Sequence, residues 1–274
     1  MRKKILIVIC SFAVLIVGII PLSIVIKQGI DEKKLYSSYY TLDDDFIIEA
    51  ANGSLSQKKN TIEFIKTAYN SGANCVELDL TFDPSGVAYI EEHSYNINAD
   101  TLKLEQVLKM LSKDALYSKV KLDLKINSVD NLPIVDELCK KYNVADRVFF
   151  TGVNLNQAIY VKNMSKIPFY LTVELKESTD NEYLSNVFDD IINSSAIGVI
   201  CDVDSMSHQF DNMLYENWIK ISFENLKSKK EYIKALAFSP NRIKTDKPYE
   251  VLELIHNWQD NSPTEFYGLE ITEN

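Results

Sequence analysis

The chain has 274 residues, of which 46% are hydrophobic and 25% charged, which is enough for one large domain with a substantial core. Residues 1–27 hold four basic side chains and no acidic one, so the remainder has 25 basic and 39 acidic side chains and a formal charge of −14. Such a domain repels nucleic acid, and no basic patch with interleaved aromatic residues occurs, which argues against a nucleic-acid-binding protein. With only eight glycines and no glycine-rich phosphate loop, any bound phosphate must be neutralised by a metal or by side chains.

The first apolar segment, Ile5–Ile26, contains no charge and is 22 residues long. A helix of about 20 residues crosses about 30 Å of hydrocarbon, and no convincing cleavage site follows, so we predict one uncleaved N-terminal transmembrane helix. The basic residues at positions 2–4 favour a cytoplasmic N-terminus and place the rest outside the cell. We therefore expect a cytoplasmic tip and anchor at 1–27, a juxtamembrane linker at 28–45 and an extracellular domain at 46–274.

Beyond the linker, short runs of β-branched and apolar residues alternate with amphipathic helical segments. The predicted strands are 46–49, 75–80, 87–91, 120–124, 147–150, 168–173, 197–201, 218–222 and 242–245. The predicted helices between them are 61–71, 102–111, 132–142, 155–163, 183–193, 211–215 and 229–237. Apart from the short strand at 87–91, this order makes eight βα units, which favour an α/β fold with a parallel sheet closed into a (β/α)8 TIM barrel over a doubly wound sheet.

Two carboxylates lie on one face of the strand that begins at Cys75. Glu77 and Asp79 are two residues apart, so both side chains project in the same direction. Among apolar neighbours they are costly unless a positive charge or a hydrogen-bond network lies between them. Two interpretations follow: an ion-paired strand end, or a pair of oxygen ligands for a hard divalent cation, calcium or magnesium. The short strand at 87–91 brings His93 back towards this pair.

A third carboxylate, Asp123, ends the neighbouring strand of the predicted barrel. Because the chemistry of such barrels lies at the carboxyl ends of the strands, we expect Asp123 to converge with Glu77 and Asp79 in a metal site. Other polar residues also follow predicted strands, and for several of these contact with water is a sufficient explanation. That second group is Asp202, Asp204, Glu224 and Asp246.

The segment 47–79 resembles the first part of the glycerophosphodiester phosphodiesterase family, a branch of the phospholipase-C-like barrels. It shares Asn60-Thr61 at the start of the first helix, Gly72-Ala73 before the second strand, and Glu77-Leu78-Asp79. Further along the chain, Asp123-Leu124-Lys125 resembles that family's Glu-Ile-Lys strand end. The stretch 243–248 resembles its final strand and turn, so the matches keep their order through nearly the whole domain.

This resemblance implies a TIM barrel that hydrolyses glycerophosphodiesters, or lipid or polymer head groups, with the help of a divalent cation. The metal ligands would be Glu77, Asp79 and Asp123. Lys125 would balance the charge of the phosphate, and His93 would act as the remaining acid or base. The partners would be a small phosphodiester and, through the N-terminal helix, the membrane.

The chain departs from the family in its histidine motif. The family has His-Arg-Gly after the first strand, where this chain reads Ala50-Ala51-Asn52, and the family's glutamate before Asn-Thr is Lys59. The second family histidine falls on Glu92 in ungapped register, and His93 follows one place later. Alanine has no proton to give to a leaving oxygen, so we expect impaired hydrolysis.

Two function classes stay open at this point. The first is an anchored, metal-dependent phosphodiester hydrolase outside the cell, and the retained carboxylates favour it. The second is a barrel without catalysis that serves as a ligand-binding or assembly module at the membrane, which the missing histidine and arginine favour. Glu49 is a conceivable substitute acid if burial raises its pKa. His208, after the sixth strand, is another conceivable acid or base, although the favoured interpretation is a surface-loop histidine. His256 lies on the last helix and is interpreted as a residue without a chemical role.

Overall fold

The computed structural model describes residues 45–51, 57–176 and 180–261. The predicted anchor at 1–27 and all but the last residue of the predicted linker at 28–45 lie outside these ranges. Within them, every helix is too short or too polar to cross a membrane.

Eight parallel strands form a closed barrel. They are β1 (Ile47–Ala50), β2 (Cys75–Phe82), β4 (Lys121–Ile126), β5 (Val148–Val153), β6 (Phe169–Thr172), β7 (Gly198–Cys201), β8 (Lys220–Leu226) and β9 (Arg242–Thr245). A short strand, β3 (Ala88–Ile90), pairs antiparallel with β2 at the barrel rim. The ring closes because β1 pairs in parallel with both β9 and β2. This closure confirms the predicted TIM barrel and excludes the doubly wound alternative.

Helices follow the strands around the outside of the ring. In the described part of the chain they are α1 (Ile62–Asn70), α2 (Leu104–Lys113), α3 (Leu132–Tyr142), α4 (Leu155–Met164), α5 (Asn181–Ser194), α6 (His208–Glu216), α7 (Lys229–Leu236) and α8 (Pro248–Asn261). Polar caps fix several of their starts. The side chain of Thr61, for example, accepts a hydrogen bond from the backbone N–H of Phe64 at 3.1 Å.

The main hydrophobic core lies between the ring and the helices. In β2, Val76, Leu78 and Leu80 face outwards and are buried against helix residues such as Phe64 and Leu108. Because side chains alternate across a strand, the residues between these apolar positions face into the barrel. The interior therefore receives a different set of side chains from the outer core.

The interior has an apolar floor and a charged upper part. Ile47, Cys75, Phe149, Tyr170 and Ile200 form a separate buried apolar cluster. Above this floor, six of the eight barrel strands contribute buried polar or charged residues in place of the bulky apolar layers usual in such barrels, and β6 and β7 contribute none. The buried polar and charged residues on the barrel strands are Glu49, Glu77, Asp79, Asp123, Thr151, Ser222, Arg242 and Thr245.

Candidate active site at the carboxyl ends of the strands

The deepest charged group of the interior is Arg242, the first residue of β9. Its guanidinium is fully buried, and Nη1 donates to Asp123 Oδ2 at 3.0 Å and lies 3.2 Å from Glu49 Oε2. Nε donates to Ser222 Oγ at 2.7 Å. Burial opposes the arginine charge, but the carboxylates of Glu49 and Asp123 outweigh it and raise the pKa of Arg242.

Two aromatic rings complete the surroundings of this arginine. The guanidinium carbon lies 5.3 Å from the ring centroid of Phe149 and 5.1 Å from that of Tyr170. Both distances are within the range of cation–π attraction, which is strengthened where water is excluded. Two rings of the apolar floor therefore pack against the Arg242 guanidinium and help to position it beside the carboxylates.

Asp123 lies between the arginine and the hydroxyl of Thr151. Thr151 Oγ1 donates to Asp123 Oδ1 at 2.6 Å, so both carboxyl oxygens of Asp123 have a partner. Complete burial and the neighbouring charge of Glu49 raise the pKa of Asp123 more than Arg242 lowers it. Asp123 is therefore a structural centre of the interior as well as a predicted ligand.

On the neighbouring strand and level with Asp123, Glu77 is held between two lysines. Lys59 Nζ lies 2.6 Å from Glu77 Oε1, and Lys244 Nζ donates to Glu77 Oε2. Lys244 also lies 3.5 Å from Glu224 Oε2. Burial by itself would raise the pKa of Glu77, but the charges of Lys244 and Lys59 outweigh it and lower the pKa to about 2.

Asp79 shares the Lys59 ammonium with Glu77 and is held by a second side chain. Its carboxylate lies 3.0 Å from Lys59 Nζ. Asn60 Nδ2 donates to Asp79 Oδ2 at 2.9 Å, and the backbone N–H of Asp79 donates to Asn60 Oδ1 at 2.9 Å. Asn60 adopts a left-handed φ of 65°, which asparagine tolerates better than most residues. Of the two interpretations of the pair, the structure shows the ion-paired one.

A buried acidic triad has the composition of a metal site. One carboxylate oxygen from each of Glu49, Glu77 and Asp123 lies within 4.8 Å of the others, and all three residues are buried. Of the three predicted ligands, the structure thus brings Glu77 and Asp123 together, with Glu49 as the third member. Asp79 stands outside this triad, on Lys59 and Asn60.

A divalent ion fits this triad only in place of a basic side chain. Glu77 has a lysine on each oxygen, and Arg242 lies against both Glu49 and Asp123. Within the described residues, Glu49 Oε1 is a buried carboxylate oxygen without a hydrogen-bond partner. A single spare oxygen is a poor match for calcium or magnesium, which take about six or more oxygen ligands. Removing a lysine from Glu77 would also break a buried ion pair.

His93 contacts none of these carboxylates. It follows β3, its side chain is 45% exposed, its ring stacks on Tyr95 with centroids 4.9 Å apart, and Nε2 lies 3.7 Å from Glu92 Oε1. It lines an open cleft of about 620 Å³ that also includes Asp83 and Asn127 and that none of Glu77, Asp79 and Asp123 lines. The structure therefore does not bring the predicted acid or base into contact with the predicted metal ligands.

The two other candidate proton donors are Glu49 and His208. Glu49 is completely buried near the end of β1, and Cys75 Sγ donates to Glu49 Oε2 at 3.5 Å. His208 begins α6 and packs against Phe238, with ring centroids 5.1 Å apart. The buried carboxylates of the interior are Glu49, Glu77, Asp79 and Asp123. Among the described residues, the side chains that are hydrogen-bonded or ion-paired to them are Lys59, Asn60, Cys75, Thr151, Arg242 and Lys244. That set contains no histidine.

Lys125 is the last inward-facing residue of β4 and pairs in register with Asp79 of β2. The described residues provide Lys125 with no ion pair or hydrogen bond, unlike Lys59 and Lys244. All three lysines lie at the mouth of the barrel, which is the end formed by the carboxyl ends of the strands. An uncommitted ammonium group at the carboxyl ends of the strands is suited to meet an anionic ligand. The phosphate-binding role that the sequence resemblance implies for Lys125 stays a prediction.

Sequence reasoning missed the basic half of this network. Arg242 and Lys244 are two residues apart on β9, the same spacing that singled out Glu77 and Asp79 on β2. That spacing was a usable signal, because it places both cations on one face of β9, the strand that pairs with β1. Lys59 was noted only as a departure from the family.

Comparison with solved structures supports the fold. The barrel is similar to a glycerophosphoryl diester phosphodiesterase from Silicibacter pomeroyi, with a TM-score of 0.65 and 9% identity over 84% of this chain and 98% of the other. A glycerophosphodiester phosphodiesterase from Parabacteroides distasonis gives a TM-score of 0.61 and 14% identity over 78% and 98% of the two chains. An Oleispira antarctica phosphodiesterase, solved with its product sn-glycerol-3-phosphate, gives 0.60 and 13% over 77% and 96%. No family model and no curated protein matches the sequence.

Proposed function

We propose that this protein is a glycerophosphodiester phosphodiesterase-like barrel that binds a small phosphate ester at its mouth and hydrolyses phosphodiesters weakly or not at all. One observation carries the proposal: the carboxylates of the mouth are bound to lysines, arginine and neutral side chains, and no histidine contacts them among the described residues. Phosphodiester cleavage needs a group that delivers a proton to the leaving oxygen.

The expected loss of rate is large. General acid–base catalysis contributes about 10²–10⁴-fold, and Ala50 stands where the resembling family has its first histidine. The neighbouring Ala51 replaces an arginine, which would have offered a forked, two-bond contact to the phosphate. His93 has the right chemistry, but it lines a cleft that none of Glu77, Asp79 and Asp123 lines.

The ligand class is inferred from the fold and from Lys125. The Oleispira phosphodiesterase of similar fold holds sn-glycerol-3-phosphate. In this chain Lys125, which has no ion pair or hydrogen bond among the described residues, offers an ammonium at the same end of the barrel as Glu77 and Asp79. A phosphate monoester or diester is therefore the ligand that best suits the mouth.

Two measurements on the full-length chain test this function. Turnover of glycerophosphocholine should be undetectable or weak in the wild type, and Ala50→His/Ala51→Arg is the variant that could restore it. In calorimetric titration with sn-glycerol-3-phosphate, Lys125→Met should weaken binding, whereas Lys119→Met, at an exposed lysine just before β4, should leave it unchanged. Turnover by the wild type at the rates usual for enzymes would contradict the proposal.

Metal-dependent hydrolysis is the second candidate function, and the buried acidic triad favours it. It requires a divalent ion to enter beside Glu77 and a proton donor to reach the mouth. Turnover that is abolished by a chelator and restored by calcium or magnesium would establish this candidate. Unchanged turnover, or none with either ion, would remove it.

We also propose that the apolar segment Ile5–Ile26 anchors the protein in a membrane with the barrel outside the cell. The support is the uncharged length of that segment and the basic residues before it. Protein that stays in the membrane pellet after carbonate washing, and a barrel that is digested by protease added to intact cells, would agree with this topology. Protection from external protease would reverse it.

A further inference from the structure

We propose that the Lys59 ammonium is the cation of this site, so that the protein holds Glu77 and Asp79 together without a metal. Lys59 occupies the space between the two carboxylates whether or not the mouth binds or cleaves a phosphate ester. The position, the burial and the partners of this one side chain support the proposal.

Lys59 has the contacts that a bound ion would make. Its Nζ lies 2.6 Å from Glu77 Oε1 and 3.0 Å from the carboxylate of Asp79. Oxygen ligands lie about 2.3–2.6 Å from calcium, so an ammonium group and a metal ion bridge such a pair at comparable distances. An ammonium at this point therefore competes directly with a metal for the same two oxygens.

The surrounding backbone holds the ammonium in this position. The next residue, Asn60, makes two hydrogen bonds to Asp79, one to its carboxylate and one from its backbone N–H. The residue after that, Thr61, caps α1. The Lys59 side chain is only 11% exposed, so its surroundings leave it little room to move away from the two carboxylates.

Lys244 closes the remaining side of the pair. It binds the second oxygen of Glu77 and approaches Glu224. A divalent ion placed next to Glu77 would meet two ammonium groups in a largely buried space, where charges are poorly screened. Glu77 therefore has no free oxygen to offer, and Asp79 is already bonded to Lys59 and Asn60.

The site is expected to become a metal site when the lysine is replaced by an oxygen ligand. Lys59→Glu adds a carboxylate beside Glu77 and Asp79 and removes the competing ammonium. The neighbouring Lys58 is exposed and has no contact with either carboxylate, so Lys58→Glu adds the same charge outside the site. These two variants form a matched pair.

The test is thermal unfolding of the full-length chain in a chelator, in calcium and in magnesium. The melting temperature of the wild type should be the same in chelator, calcium and magnesium, and the melting temperature of Lys58→Glu should likewise not change among the three solutions. Lys59→Glu should melt lower in the chelator and rise by about 5–10 °C when the metal is about 100-fold above its dissociation constant. A metal-dependent rise of the wild type, or a folded Lys59→Glu that does not respond to either ion, would overturn the proposal.

A second measurement covers the case in which Lys59→Glu does not fold. Mn²⁺ binding can be monitored as the loss of the electron paramagnetic resonance signal of the free ion. The wild type should show no stoichiometric Mn²⁺ site in this measurement. Lys59→Gln, which removes the ammonium without adding a charge, should gain one. One tight Mn²⁺ site in the wild type that Asp79→Asn abolishes would contradict the proposal.

Discussion

Arg242 Nη1 lies 3.0 Å from Asp123 Oδ2 inside the barrel, although 119 positions separate the two residues in the sequence. Both side chains are completely buried. The contact joins β9 to β4 across the interior and brings Glu49 of β1 into the same group. Ion pairs between β1, β4 and β9 therefore hold together the part of the interior that leads to the mouth.

Removing this arginine should destabilise the fold strongly. Arg242→Met leaves Glu49 and Asp123 buried without their positive partner, and loss of one member of a buried ion pair typically costs about 3–5 kcal/mol. Urea unfolding should show this decrease in the free energy of unfolding. Lys234→Met is the control, because the Lys234–Asp204 pair is exposed and should contribute little. Equal stability of the two variants would show that the interior network contributes no more than a surface pair.

The lysines around Glu77 should make stability depend on acid pH. The pKa of Glu77 is about 2 in the folded state, against an ordinary value of 4.5. Because the folded value is the lower one, its contribution of roughly 3 kcal/mol is present above about pH 4.5 and is lost as the pH falls towards about 2.

This dependence can be measured by comparing wild type and Glu77→Gln in urea at several pH values. The variant should be less stable at neutral pH and at pH 5, and the difference should shrink as the pH falls below 4. Glu63→Gln, at an exposed position in α1, should differ little from the wild type throughout. A constant difference between wild type and Glu77→Gln at all pH values would contradict the assignment.

Gly198 leaves the space that Tyr170 needs beneath the arginine. A Cβ at position 198 would lie 2.6 Å from Tyr170 Cε1 and 2.6 Å from the carbonyl oxygen of Lys220. Gly198→Ala should therefore destabilise the domain by about 1–3 kcal/mol, the usual effect of overpacking. Gly198→Ala/Tyr170→Leu should recover part of the loss in urea unfolding, since the ring is one of the two obstacles. Unchanged stability of the single variant would show that the floor adjusts freely.

The barrel should fold without the predicted anchor. The closed ring of strands extends from Ile47 to Thr245, so a chain that begins at Asp31 retains all eight parallel strands. Circular dichroism should show mixed α/β structure and a single cooperative thermal transition for this fragment. A disordered spectrum would show that the N-terminal segment takes part in folding.

The sequence predicted the elements well where one pattern dominates. The strand at 242–245 and the helix at 132–142 agree with β9 and α3. The strand at 218–222 was predicted to begin too early, because Trp218 has a φ of 61° and is 92% exposed. It was also predicted to end too early, because the polar residue Glu224 hid the continuation of β8. In a barrel with a charged interior, inward polar residues no longer mark the end of a strand.

The site was only partly predictable, and the reason is geometric. Alternation along a strand places Glu77, Asp123 and Lys244 on the inward face. It does not give their relative heights, which depend on the pairing register of each strand with the next. In the structure, Glu77 is level with Asp123, and Lys244 is level with Glu49. Lys59 comes from a loop, whose path no periodic pattern predicts.

The most direct test of the central claim is a crystal of the wild-type barrel soaked in Mn²⁺ and measured for anomalous scattering. We expect no anomalous peak within coordination distance of Glu77 and Asp79, and electron density for the Lys59 side chain between the two carboxylates. A manganese peak bridging Glu77 and Asp79, with Lys59 turned away, would contradict the account and restore a metal to the centre of this site.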